Sequence, residues 1–431
     1  MTSDIETATR AWQASASAKV RWRLLPFLIV CYFSAYLDRV NIGFAALTMN
    51  ADLGIGAEAF GFTAGIFFLG YCLFEVPSNV LLARFGARVW IARIMVTWAI
   101  VSAATAFVTD IWSLSILRFM LGVAEAGFFP GIIFYLTRWV PATERAAVVA
   151  IFMAAVPISN LIGAPLSGLI LDTFDGVMAL KGWQWLFLIE AVPSLMLGIA
   201  AFRVLDDSPD TAGWLLPEER AALSRTIAIE TQARERERSY TLREALTDPR
   251  VIALGFVYFG IVAGMYGLTF WLPQIIKDFG FSNTGTGFLT AIPYLFAVIA
   301  MVAWGMRSDR QKERVRHIIL PCVLGAISLA AGAFITEPAL AFFVLTLSAM
   351  CIFSALPTFW TLPTAMLTGA AAAGGIALVN SIGNVGGFIG PYLIGWIKGQ
   401  GFGSEIAVGS LALFLLMSAV LVRVIGNGAL R

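Results

Sequence analysis

Four charged residues stand inside runs that should exclude them. Asp38 and Arg39 lie in Tyr36-Leu37-Asp38-Arg39-Val40-Asn41, and Arg118 and Glu125 bracket the apolar string Phe119-Met120-Leu121-Gly122-Val123-Ala124. An ionisable side chain in a bilayer core costs about 2.5–3.5 kcal/mol even on the lenient insertion scale, so such residues mark a site. Arg118 and Glu125, seven apart, share a helix face about 10 Å from each other, and Gly122 leaves room between them. Tyr36 and Arg39, three apart, also share a face. Asp38 and Arg39 are adjacent, point about 100° apart and pair poorly with each other. Arginine grips a carboxylate through its planar fork. A carboxylate in a partly dry cavity can exchange a proton near neutral pH. Together they predict a polar cavity of two guanidiniums and two carboxylates, able to bind an anion and carry protons. The competing reading is paired charges that only hold helices together.

The elements that position these residues follow from composition. Of 431 residues, 59% are hydrophobic and 13% charged, against roughly 45–50% and about 25% in soluble domains. A soluble enzyme is excluded on those grounds. A net charge of +2 without a dense basic block excludes nucleic acid as a partner. Cys31, Cys72, Cys322 and Cys351 all sit in apolar runs and read as packing residues, and no metal-ligand spacing is present. Twelve apolar runs approach the roughly 20 residues a helical span needs. They cover 24–48, 59–82, 89–108, 112–136, 146–171, 184–203, 251–275, 285–306, 316–335, 339–361, 372–397 and 406–425. Strings such as Ile66-Phe67-Phe68-Leu69 do not alternate, so the spans are helices and not β-strands. The chain is therefore expected to be an all-α membrane protein whose largest partner is the lipid bilayer. Residues 1–20 contain no apolar core of a signal peptide.

Of the 29 Lys and Arg residues, 24 fall in the tails, in the loops on one side or in the span ends that border them. Lys181, Lys277 and Lys398 fall on the other. That asymmetry predicts cytoplasmic termini. The expected organisation is a cytoplasmic tail over 1–23, a six-helix bundle over 24–205 and a cytoplasmic linker over 206–248. A second six-helix bundle follows over 249–425, with a tail over 426–431. The linker's run Arg234-Glu235-Arg236-Glu237-Arg238 reads as a solvated helix face. Arg84 and Arg310 are 226 residues apart, as are Arg88 and Arg314, and Pro165 and Pro391; Pro130 and Pro357 miss that offset by one. These matches point to two pseudo-symmetric halves with a site between them, a transporter architecture.

Other polar residues are less decisive. Glu75 is expected to pair with loop arginines, and His317 to be a cytosolic surface residue; Glu190 has no evident role. Gly386-Gly387-Phe388-Ile389-Gly390 and Gly127-Phe128-Phe129-Pro130-Gly131 read as close helix packing, the second with a kink. Asn380 and Asn384, one turn apart, either bond across helices or line a cavity.

These strings resemble the major facilitator superfamily, and within it the anion:cation symporter family. That family includes carriers of tartrate, galactonate, hexuronates, phthalate and hydroxyphenylacetate. The resemblance rests on Tyr36 to Asn41, Glu75-Val76-Pro77-Ser78-Asn79, Arg118 to Pro130, Phe359-Trp360-Thr361-Leu362-Pro363, Asn380-Ser381-Ile382-Gly383-Asn384 and Gly390-Pro391. It implies the twelve-helix fold of two six-helix bundles. It implies that Arg39 and Arg118 bind the substrate anion and couple charge, that Asp38 and Glu125 carry protons, and that Tyr36, Tyr71, Trp360 and Asn384 line the cavity. In the loop after the second span, Ala83 stands where the superfamily has an acid, beside Arg84 and Arg88. The loop after the eighth keeps Asp309-Arg310, with Arg314 beyond. By the resemblance these loops latch the cytoplasmic side through ion pairs.

The expected function is uptake of a small organic carboxylate across the inner membrane by proton symport, by a monomer, with protons as the coupling ion and no cofactor. A tartrate-like acid, a sugar acid and an aromatic acid all suit the cavity. An exchanger of organic anions or sugar phosphates would share the fold, but Val251 to Ile275 offers no Lys or Arg for a phosphate. A membrane enzyme would need a catalytic constellation that the chain lacks. No Gly-x-x-x-x-Gly-Lys-Ser/Thr loop is present to power an ATP-driven pump.

Overall fold

A computed structural model describes residues 2–236, 247–335, 337–366 and 369–429. Among them are twelve helices long and apolar enough to cross a membrane. The first half supplies Ala11–Asp52, Ala57–Phe85, Ala87–Phe107, Ile111–Trp139, Ile151–Thr173 and Gly182–Val204. The second supplies Pro249–Lys277, Asn283–Gln311, Val315–Gly332, Pro338–Pro363, Gly375–Gly399 and Ser404–Gly426. All twelve coincide with the apolar runs. Most extend past them, because helices continue into the polar borders where caps and charged side chains sustain them.

The first and last six spans form two bundles. Across their junction the second span packs on the eleventh, the fifth on the eighth, and the end of the first on the seventh. Exchanging the halves maps the second–eleventh contact onto the eighth–fifth contact, which is the two-fold relation that the 226-residue offset implies. Arg84 and Arg310 sit in the last turns of the second and eighth spans. Pro165 and Pro391 lie inside the fifth and eleventh. The glycine string of the eleventh span serves close packing: a Cβ on Gly386 or Gly390 would stand 2.3 or 2.2 Å from a carbonyl oxygen of the seventh.

The polar ends carry helix as well. Helix begins at Thr2 and runs unbroken into the first span. Part of the linker is also helical, Pro217–Arg236, while residues 237–246, with the end of its charge run, lie outside the described residues. These two helices dock. Glu219 accepts from Ser15 Oγ at 2.7 Å, Lys19 Nζ at 2.8 Å and the backbone N–H of Leu216 at 3.0 Å. Burial alone would raise the Glu219 carboxyl; the bonds from Lys19 and Ser15 outweigh it and hold the group below its ordinary range. Glu230 ties the same helix to Arg145 and the Ala142 N–H.

Candidate functional site

The second and fourth spans cross without clearance. A Cβ on Gly122 would lie 2.0 Å from the carbonyl oxygen of Phe67, and Thr63 and Ser115 share a hydroxyl contact at 3.1 Å. The crossing presses the face carrying Arg118 and Glu125 against Phe67 and Tyr71. Glu125 ends its helix, Ile111–Glu125, and the chain resumes helix at Phe128 after Gly127 at φ 84°. Only glycine takes that left-handed conformation freely, so Gly127 makes the kink. Pro130 falls in the first turn of the next segment, where its missing N–H is harmless.

The four charges do not share one cavity. Arg39 Nη2 is ion-paired with Glu125, 86 residues away, and both are almost fully buried. Arg39 Nη1 donates to the Tyr266 hydroxyl at 2.7 Å, which bridges the bundle junction to the seventh span. Its guanidinium carbon stands 5.5, 5.2 and 5.5 Å from the ring centres of Tyr36, Phe67 and Tyr71, a spacing at which ring faces attract a cation. Tyr36 stacks on Tyr266 and reaches Met265 Sδ at 3.9 Å. Arg118, wholly buried, donates through Nη2 to the carbonyls of Arg39 and Ala64 at 3.3 and 3.4 Å, and its carbon lies 5.3 Å from the Phe67 ring. Phe67 thus touches both guanidiniums. Nε and Nη1 of Arg118 have no hydrogen-bond partner.

Asp38 points the other way, into the first bundle. It accepts from Trp98 Nε1 at 3.1 Å, Ser102 Oγ at 2.9 Å and Ser194 Oγ. The reason is the angular offset between neighbours on a helix: when Arg39 faces the junction, Asp38 faces the third and sixth spans. The expected cavity with two carboxylates therefore holds one, Glu125.

Several other expectations are corrected. Glu75 bonds across the junction to Asn380 Nδ2 at 2.6 Å and Ser381 Oγ at 3.4 Å, not to loop arginines, because it faces the eleventh span. Asn380 is thereby a cross-helix bond, while Asn384 is buried one turn further along. Trp360 packs on Tyr258 and Phe359, at ring distances of 4.9 and 5.5 Å, so it belongs to an aromatic cluster of the seventh and tenth spans. His317 is buried and packs at a tilt against the Trp304 ring, 5.0 Å between centroids, because it lies in the first turn of the ninth span facing the eighth. Glu190 accepts from Ser167 Oγ at 2.7 Å deep in the first bundle.

The loops differ too. Arg314 pairs with Asp309 at 2.6 Å within its own loop. Among the described residues Arg84, Arg88 and Arg310 form no ion pair. Asp207 instead accepts from the backbone N–H of Arg88 at 2.9 Å, where a negative charge suits the N-terminal end of the third span. Tyr266 is the main residue that sequence reasoning missed. Its signal was faint: it lies 227 residues after Arg39, one beyond the place that the 226-residue offset makes equivalent.

Solved structures share this architecture. A bacterial homolog of the human lysosomal transporter Spinster, inward-facing and occupied, superposes with a TM-score of 0.74 at 17% identity, covering 96% of this chain and 98% of that one. The xylose transporter XylE from E. coli gives 0.72 at 15%, covering 95% and 97%. By sequence the chain is 50% identical over 421 residues to an Agrobacterium vitis protein named "Putative tartrate transporter", covering 98% of this chain and 93% of that protein. It is 43% identical over 422 residues to a Pseudomonas putida protein named "Putative metabolite transport protein NicT", with 97% and 95% covered. The model of the Major Facilitator Superfamily matches residues 28–391. Twelve spans in two exchangeable halves, a buried cation at their junction and these matches agree: the chain belongs to the Major Facilitator Superfamily, and it is a membrane transporter and not an enzyme.

Proposed function

We propose that the protein takes up a small organic carboxylate together with protons, by alternating access of the two bundles to a site around Arg39 and Arg118. The observation that carries this reading is the buried Arg39–Glu125 pair at the bundle junction. A substrate carboxylate is the same chemical group as the Glu125 side chain and competes with it for Arg39. Protonating Glu125 removes its charge and frees the arginine for substrate. Arg118, with two nitrogens unpartnered, adds a second cation to the same ring of Phe67. Tyr266 reports the event to the other bundle, since its hydroxyl bonds Arg39 directly. Tyr36 and Tyr71 wall the site, with Asn384 on the second bundle's side. The Lys and Arg asymmetry supports an inner-membrane location with both termini cytoplasmic, and the docked linker helix joins two bundles that act as a monomer. The names of the Agrobacterium vitis relatives support tartrate as the first substrate to test.

The test is uptake into vesicles. An acid-outside gradient is expected to drive tartrate accumulation that a protonophore abolishes. Accumulation that persists at zero proton-motive force refutes the coupling.

A further inference from the structure

Arg39 and Arg118 find partners inside the protein; Arg93, in the third span, does not. Its helix starts at Ala87, so the residue lies about 9 Å along the axis from that end. Its Nε is buried without a hydrogen-bond partner, and among the described residues its guanidinium forms neither a hydrogen bond nor an ion pair. A cation at that depth has to snorkel to the lipid headgroups or meet an anion.

The side chain is nevertheless held in place. The Arg93 guanidinium carbon lies 4.0 Å from the centre of the Trp90 ring, a cation–π contact. Trp90 stacks on Phe85, with ring centres 5.7 Å apart and planes 12° from parallel, and its Nε1 donates to Ser78 Oγ of the second span at 3.0 Å. Arg84 completes the set, its guanidinium carbon 5.8 Å from the Phe85 ring centre. Two cations therefore ride on one stack of two rings, which a hydrogen bond ties to the second span. Their charge is unanswered. The loop Ala83-Arg84-Phe85-Gly86-Ala87-Arg88 contains no acid. The carboxylate at this corner, Asp207, sits against Gly86 and takes the backbone N–H of Arg88, and it pairs with none of these guanidiniums. Phe85 and Val89 are exposed apolar residues beside the cations. A soluble anion has no use for that apolar surface, whereas a phospholipid covers it with acyl chain and brings a phosphate to the arginines.

We propose that Arg84 and Arg93, carried on the Phe85–Trp90 stack, form a binding site for the headgroup of an anionic phospholipid. The planar fork of arginine grips a phosphate through two parallel N–H groups, and the ring stack fixes the fork before the lipid arrives. The site lies on the lipid face of the first bundle, apart from the carboxylate site at the bundle junction. A lipid with net negative charge is preferred over a zwitterionic one, whose own cation competes with the arginines for the phosphate.

Native mass spectrometry of the full-length protein, with phosphatidylglycerol or phosphatidylcholine added, reads bound lipid directly. Wild type is expected to hold phosphatidylglycerol at least about tenfold more tightly, the equivalent of one charge-assisted hydrogen bond. Arg93→Gln is expected to remove that preference. Arg423→Gln, which deletes a basic charge near the end of the twelfth span, is expected to keep it. Equal affinity for the two lipids in wild type overturns the proposal. So does an equal loss in Arg93→Gln and Arg423→Gln, because it reports net basic charge and not a site. Inorganic phosphate is the competitor from solution: it is expected to leave phosphatidylglycerol bound, and displacement of the lipid by phosphate alone would make this a soluble-anion site. Should Arg93→Gln not fold, Phe85→Leu at its exposed position keeps every charge and unstacks Trp90. It is expected to weaken phosphatidylglycerol towards the phosphatidylcholine level, and unchanged affinity is contrary.

Discussion

Replacing Glu125 by glutamine tests whether the buried ion pair is a competitor for substrate or a strut. In the variant Arg39 keeps the Tyr266 hydroxyl and gains an amide oxygen, but loses its counter-charge. Removing one member of a buried pair costs about 3–5 kcal/mol. The retained amide acceptor and the rings of Tyr36, Phe67 and Tyr71 at 5.2–5.5 Å offset part of this, leaving a net cost of about 2–3 kcal/mol. A carboxylate arriving at Arg39 restores the missing charge and recovers some of that cost. If about 1.4 kcal/mol is recovered, the Kd falls about tenfold. The sign with pH also changes. In wild type, proton uptake by Glu125 frees Arg39, so affinity is expected to rise as pH falls. In the variant nothing at that position titrates, and the dependence should flatten. The assay is calorimetric titration of purified protein with tartrate, or with whichever small carboxylate a thermal-shift screen selects, on both sides of neutrality. Unchanged affinity with an intact pH dependence would refute the competition and reduce Glu125 to a structural counter-charge.

Arg118→Lys keeps the charge but loses the planar fork and the paired contacts to the Arg39 and Ala64 carbonyls; substrate affinity is expected to fall at least tenfold in the same titration. Gly122→Val places carbon atoms against the Phe67 carbonyl, where even a Cβ would stand 2.0 Å away; a loss of about 1–3 kcal/mol or more is expected as a lowered melting temperature. The docking of the N-terminal helix on the linker helix rests on Glu219, whose folded carboxyl is held below its ordinary value of 4.5. A depressed acid contributes stability that is present above that value and lost as pH falls through the folded one. Protection of the amides around Ser15 and Lys19, measured relative to their intrinsic exchange rates at each pH, is therefore expected to fall in acid and not in base.

Much of the architecture was legible in the residues alone. A span is a local property: some twenty apolar residues in a row need a helix in lipid whatever surrounds them, so twelve runs became twelve spans. The 226-residue offset told which spans correspond. The cost of a charge in lipid singled out Asp38, Arg39, Arg118 and Glu125 before any fold was known. Helical periodicity also foretold that Asp38 and Arg39 diverge. Partners were another matter. Arg39 meets a glutamate 86 residues away and a tyrosine in the other bundle; Asp38 meets Trp98, Ser102 and Ser194; Glu75 meets Asn380 across the junction. Periodicity says which residues share a face of one helix, but not which other helix that face meets. That choice is made by packing: the absence of a side chain at Gly122, the turn at Gly127 and the crossing of the second span on the fourth. His317 shows the same limit from the other side. Its basic neighbours suggested a wet loop, and only the position of the eighth span's Trp304 decided that the imidazole is buried.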